Sequence, residues 1–371
     1  MRPAAFKLER WFARYEFTTR HLLCASDCEA MSIAELLALE PGAAEAFGRH
    51  WLGYTESSGD PALRQAITAL YRDIAAEQVL VHAGAEEAIF AFMHCALESG
   101  DEVVVHLPGY QSLHEVARAI GATVMPWQAD PATGWSLDPE RLESLITPRT
   151  KAIVINCPHN PTGYLMPRAA FEATVEIARR HGLLLFADEV YRGLEYDPAD
   201  RLPAVCDSYE RGVSLGVLSK TYGLPGLRIG WIATRDEAIR TAMAGFKDYL
   251  TICNAAPSEF LATVALKHHE TIAARNLGIV TDNLALLEAF FARQPDRFAW
   301  TRPLAGPIGF AELRGDLTDK GAEAFCHDLA ARAEVLLMPS SVYDAGDRHV
   351  RFGFGRRNLP EVLTAFDSAP V

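Results

Sequence analysis

Positive charge is scarce in this chain. Its 35 lysines and arginines face 48 aspartates and glutamates, a formal charge of −13 over 371 residues. Nucleic acid and anionic membrane both select basic surfaces, so neither is an expected partner. No apolar run reaches membrane-spanning length, and Met1 to Phe17 mixes Arg, Lys and Glu with aromatics where a signal peptide would carry an apolar core and a cleavage site. Zinc spacing is missing too. The seven cysteines (24, 28, 95, 157, 206, 253, 326) are scattered, and the one close pair, Cys24 and Cys28, has no second pair or histidine cluster to match it. Free thiols in a reducing, cytoplasmic compartment are the expectation, with no metal. Internal repeats and low-complexity tracts are also absent.

What is present fits a soluble enzyme: 49% apolar and 22% charged residues, on a chain long enough for one large domain and a smaller one. From Val79 onward, apolar runs at 102–106, 151–155, 183–187, 213–218 and 229–233 alternate with amphipathic segments near 85–98, 110–120 and 168–181. Continuous apolar strands alternating with helices predict an α/β fold with a mostly parallel sheet covered on both faces, and a site at the carboxyl ends of its strands. Residues 1–50 read as an N-terminal arm and part of the small domain, with short helices over Leu8–Tyr15 and 32–39. Residues 51–250 read as the large domain, with a helix opened by Asp60-Pro61 and running to about Ile74. Residues 251–371 read as a long interdomain helix from about Pro257 to Phe291, then a small α+β domain with strands at 308–313, 335–338 and 349–353 and a helix at 319–332.

The most informative stretch is Val217-Leu218-Ser219-Lys220-Thr221-Tyr222-Gly223-Leu224-Pro225-Gly226-Leu227-Arg228. A lysine ending a buried strand loses hydration, which lowers its pKa and makes its amine a nucleophile toward aldehydes. Arg228, returning to the same cavity, offers a planar fork to a phosphate. An aldehyde that also carries a phosphate is pyridoxal phosphate (PLP). Asp188 ends the apolar run from Leu183 to Ala187, where a carboxylate needs a cation: either a protonated ring nitrogen or a core salt bridge. Gly84-Ala85-Glu86 follows a short strand and opens a helix, a ready anion site that many unrelated helices share.

Together with Asn156-Cys157-Pro158-His159-Asn160-Pro161-Thr162-Gly163 and Ala187-Asp188-Glu189-Val190-Tyr191, this stretch resembles the class I/II aminotransferases, the fold-type-I PLP enzymes. The resemblance runs from about Tyr54 to Arg351. It implies that Lys220 carries the cofactor as a Schiff base and that Gly84, Ala85, Glu86, Ser219 and Arg228 hold its phosphate, Glu86 through its N–H with the side chain turned away. It implies that Asp188 partners the ring nitrogen and that Asn160 and Tyr191 donate to the ring oxygen. Tyr110 would stack on the ring, although an aromatic covering a helix start is the alternative. Arg351 would clamp the substrate α-carboxylate, with a core ion pair as its rival, and Asn160 borders the substrate as well. Tyr54 would reach the phosphate of a second copy, which implies a homodimer with shared sites. Val217 departs from the pattern, because a phosphate-binding serine usually stands three residues before the lysine.

The implied reaction moves an amino group from an L-amino acid to a 2-keto acid in ping-pong order. Elimination or ring closure is the alternative fate of the same carbanion. Leu8-Glu9-Arg10-Trp11, Tyr15, Phe17 and Ser32 to Leu36 resemble the capreomycidine synthase branch, a lyase/cyclase that acts on a modified arginine. A cofactor-sensing transcription factor on this fold would need a basic winged-helix domain, and the residues before Tyr54 are too few for one. Side-chain specificity is not legible.

Overall fold

The computed structural model describes residues 2–368. The Val-, Ile- and Leu-rich runs form one seven-stranded sheet: β1 (Val79–His82), β2 (Glu102–Leu107), β3 (Thr123–Gln128), β4 (Thr150–Asn156), β5 (Leu184–Asp188), β6 (Gly212–Val217) and β7 (Gly230–Thr234). The spatial order is β1-β7-β6-β5-β4-β2-β3. All neighbours are parallel except β7, which runs against both β1 and β6. Strands β4 to β6 are buried almost throughout, which is why their sequence reads as unbroken apolar runs rather than alternation. Helices α2 (Ala85–Ala96), α3 (Ser112–Ile120) and α4 (Arg168–His181) pack against the sheet.

Register builds the functional edge. Asn156, the last residue of β4, pairs with Asp188, the last of β5. Val217, the last of β6, pairs with Gly230, the first of β7, and Gly230 pairs with His82 at the end of β1. The segments leaving four strands therefore start side by side at one edge. A Cβ on Gly230 would stand 2.7 Å from the Gly84 carbonyl carbon, so only glycine lets α2 begin this close to β7.

The C-terminal strands Phe298–Ala299, Ile308–Leu313, Met338–Pro339 and His349–Gly353 make a separate antiparallel sheet. The chain start belongs beside it, since His21–Leu22 pairs in parallel with Val335–Leu336. All strands of the larger sheet fall within 79–234 and all of the smaller within 298–353.

Four local expectations differ. The helix opened by Asp60 stops at Thr68 because Asp207 captures the N–H groups of Arg72 and Asp73 at 3.0 and 2.9 Å. The long helix is two, Ala256–Lys267 and His269–Ala292, and the His269 ring bonds the Leu266 carbonyl at the break. The run 335–338 serves two sheets, since Val335–Leu336 and Met338–Pro339 pair with different partners. The helix expected at 319–332 is Asp316–Lys320 and Ala322–Ala333, divided at Gly321 with φ 81°.

Candidate active site

At the edge where β4, β5 and β6 end lies a cavity of about 250 Å³. Ten of the expected residues line it: Ala85, Glu86, Tyr110, Asn160, Asp188, Tyr191, Ser219, Lys220, Arg228 and Arg351. Lys220 follows β6 in a turn closed by Leu224 N–H to Leu218 O (2.9 Å) and Gly223 N–H to Lys220 O (3.1 Å). Gly223 has φ 63°, and a Cβ there would press on the Glu29 carbonyl at 2.6 Å. The Lys220 amine donates to Ser26 Oγ at 2.9 Å. Burial lowers its pKa, with Asp27 acting in the opposite sense.

Asp188 is 5% exposed and has no cationic partner within ion-pair distance among the described residues. Burial pushes its carboxyl up to about 7, against the pull of Val190 N–H (3.3 Å) and the Lys220 charge. No core salt bridge to Asp188 forms among the described residues. Its backbone is fixed from β4: Asn156 Nδ2 donates to Asp188 O at 3.0 Å, and Asn156 Oδ1 accepts from Asn160 N–H at 2.7 Å. One amide thereby sets the spacing of two site residues. Tyr191 is 1% exposed and borders the cavity, and the nearest polar side chain to its Oη is the Ser26 hydroxyl. A buried phenol beside a buried carboxylate with no cation suits a polar, positively charged group in the cavity.

The opposite wall suits an anion. Gly84, at φ 88°, caps α2 with no side chain on the first-turn N–H groups of Ala85 and Glu86. A Cβ on Gly84 would stand 2.4 Å from Arg228 Nη2, so the glycine admits the guanidinium to the helix start. The Glu86 carboxylate turns aside to accept from Ser112 Oγ at 3.0 Å and lies by the Tyr110 phenol. Val217 also borders the cavity and brings no hydroxyl.

Arg351 is 0% exposed and faces no carboxylate among the described residues, against the rival reading of a core ion pair. Nε and Nη2 donate to Cys24 O at 3.1 and 2.5 Å, and Nη1 donates to Asn160 Oδ1 (3.1 Å) and Tyr343 Oη. Four of its five N–H groups are thus engaged. A two-point grip on a carboxylate requires one of these partners to yield. Tyr54 does not join this cavity: it is 88% exposed.

Sequence reasoning missed one whole wall. Leu8, Glu9 and Phe12 of α1 (Lys7–Tyr15) and Ser26 face the same cavity. The spacing of Leu8 and Phe12 showed an apolar helix face, but nothing in it identified what that face covers. No group of three or more His, Cys, Asp or Glu among the described residues is placed to hold a metal ion.

A family model described as aminotransferase class I and II matches residues 22–366. Capreomycidine synthase of Streptomyces vinaceus is 31% identical over 357 residues, 95% of this chain and 89% of that protein. An arginine–pyruvate transaminase of Pseudomonas aeruginosa is 40% identical over 189 residues, 48% of this chain and 47% of the relative. Among solved structures, a PLP-dependent aminotransferase from Streptococcus suis has a TM-score of 0.92 at 32% identity, covering 99% of this chain and 97% of that one. A PLP-dependent cyclase, OrfR, has a TM-score of 0.89 at 29% identity, with the same two coverages.

Proposed function

This chain belongs to the aminotransferase class I and II family and is a PLP-dependent enzyme, and from that premise we propose that it transfers the amino group of a cationic L-amino acid to a 2-keto acid. One observation carries the reading: a desolvated amine, Lys220, stands between an anion cradle and a buried carboxylate that lacks its cation. PLP supplies the aldehyde, the phosphate and the electron-withdrawing ring that these groups fit. Ala85 and Glu86 N–H, Ser219 and Arg228 would hold the phosphate. Asp188 would keep a proton on the ring nitrogen, Asn160 and Tyr191 would hold the ring oxygen, and Tyr110 would cover the ring. Arg351 grips the α-carboxylate. The Lys220 amine, when not bonded to the cofactor, would act as the base that takes the proton from the substrate α-carbon. The first keto acid leaves before the second enters, which is ping-pong order.

The substrate class follows from the α1 wall. Glu9 borders the cavity with no hydrogen-bond or ion-pair partner among the described residues, and its charge is felt at Lys220, Tyr110 and Glu86. Arg228 and Arg351 are committed to anions, so a side chain entering past Glu9 meets negative charge. Two relatives fit that class: one is named for arginine, the other for capreomycidine. In a panel of amino acids, arginine, lysine or ornithine should convert the bound cofactor to its amine form faster than leucine or glutamate. Glu9→Gln should lower kcat/KM for the best cationic substrate about 3- to 10-fold while sparing alanine. Preference for glutamate would sink this assignment.

A second reading rests on the near-complete coverage by capreomycidine synthase and the likeness to OrfR: elimination followed by ring closure on a modified cationic amino acid. Release of ammonia or a cyclised product with no keto-acid acceptor would replace transamination with this reaction.

The setting belongs to the same proposal. Seven free cysteines suit a reducing cytoplasm, and no helix among the described residues is long and apolar enough to cross a membrane. Trp51, Leu52, Tyr54 and Tyr249 expose large apolar surfaces, and Lys247 Nζ ties their two segments together by bonding Ser57 O and Ile252 O. A second copy covering them would bring Tyr54 to its site. Light scattering should give twice the chain mass; a monomer with full activity would remove the shared-site model.

A further inference from the structure

The hydroxyl that receives the Lys220 amine comes from a segment 194 positions away in the chain. We propose that Ser26 is a positioning residue that fixes the free Lys220 amine for proton transfer, an assignment that rests on the role given to Lys220 above. A primary amine on a four-carbon stem rotates freely, and its lone pair samples many directions. Committing one N–H to Ser26 Oγ restricts that rotation and leaves the lone pair for the cavity. The cost of finding the reactive geometry is then met before substrate arrives.

The hydroxyl is itself rigidly placed. Leu23 O accepts from Gly353 N–H at 2.7 Å, Glu29 N–H donates to Gly355 O at 2.8 Å, and Asp27 pairs with Arg356 at 3.0 Å. A Cβ on Gly353 would lie 1.9 Å from Ala25 O, and one on Gly355 would lie 2.3 Å from Asp27 O. Two glycines of the C-terminal segment therefore let residues 23–29 lie flat against it. None of these contacts uses the Ser26 hydroxyl, whose neighbours are Lys220 Nζ and the otherwise unpartnered Tyr191 phenol. The hydroxyl thus faces reacting groups and does not hold its own loop in place. The charged groups acting on the Lys220 amine include Asp27, Arg351, Asp188, Glu9 and Glu16, and removing the hydroxyl changes none of them chemically.

Ser26→Ala and Ser26→Thr test this. In the holoenzyme, Ser26→Ala should lower kcat about 10- to 30-fold with KM within about twofold, and Ser26→Thr should recover most of the loss. A second readout needs no turnover. In cofactor-free protein, acylation of Lys220 by acetic anhydride is followed against pH by peptide mass spectrometry. An oxygen acceptor favours the ammonium over the amine, so its loss should move the midpoint down by about half a pH unit or more. Alanine and wild-type proteins with the same kcat and the same midpoint would overturn the assignment, as would a loss that threonine fails to recover. If Lys220→Ala protein retains a covalently reducible cofactor, the reading of Lys220 itself falls, whatever Ser26 does.

Discussion

Replacing Lys220 with alanine should lower turnover by about four orders of magnitude and leave no cofactor attached to the chain after borohydride reduction. The amine serves twice, as the nucleophile that anchors the aldehyde and as the base at the α-carbon, so no neighbour can take over half the work. Asp188 and Glu9 bear charge but cannot bond covalently to a carbonyl as an amine does, and Arg228 and Arg351 stay protonated at any working pH. The variant should fold, because the turn is held by backbone bonds of Leu218, Gly223 and Leu224. Removing a desolvated amine also relieves the burial that lowers its pKa. Borohydride treatment that leaves the cofactor attached to wild type but removable by dialysis from the variant, at equal starting cofactor content, is the direct check. A variant that still turns over at more than about 1% of wild type would move the base elsewhere in the cavity.

The sheet was legible because parallel strands covered on both faces must be apolar throughout, and β4, β5 and β6 each lie within about two residues of the runs read from sequence. Strand β3 escaped for the opposite reason. It lies at the sheet edge with most side chains partly or fully exposed, and Pro126 stands inside it. Helix ends failed where distant groups decided them, as Asp207 does for the helix that starts at Pro61.

The site divides the same way. Asn160, Asp188, Lys220 and Arg228 follow strand ends or turns, so their local sequence already fixes which edge they reach. Ser26 and Glu9 reach the cavity only through the docking of residues 7–29 on the C-terminal sheet and the large sheet's edge, and no local pattern encodes that. Arg351 lines the cavity, but its company was not legible in the sequence. Cys24 O, Tyr343 and Asn160 engage four of its donors, a crowding visible only after the N-terminal segment has folded onto the last strand.

Asp188→Ala should cost about 100- to 1,000-fold in kcat and less than about tenfold in cofactor affinity, since the phosphate cradle of Gly84, Ala85, Ser219 and Arg228 is untouched. Equal losses in both would make Asp188 a structural group only. The carboxyl also has a signature in protein freed of cofactor. Its folded pKa of about 7 lies above the ordinary carboxylate range, so the folded state holds the proton more tightly than the unfolded chain between pH 4 and 7. Stability from this group is therefore greatest below about pH 4 and falls as pH rises through about 7. Glu189, also pushed up to about 7 by burial, adds to the same slope. Asp188→Asn, which cannot ionise, should flatten part of that slope and be more stable than wild type at pH 8 by up to a few kcal/mol. With cofactor bound the order should reverse, because the wild-type carboxylate then has its cation and the amide does not. Thermal melts of both proteins with and without cofactor at pH 6 and pH 8 would show the crossing. A wild type more stable than the Asn variant at pH 8 without cofactor would mean that the buried carboxylate already has a partner, and the electrostatic case for a cationic ring above it would be lost.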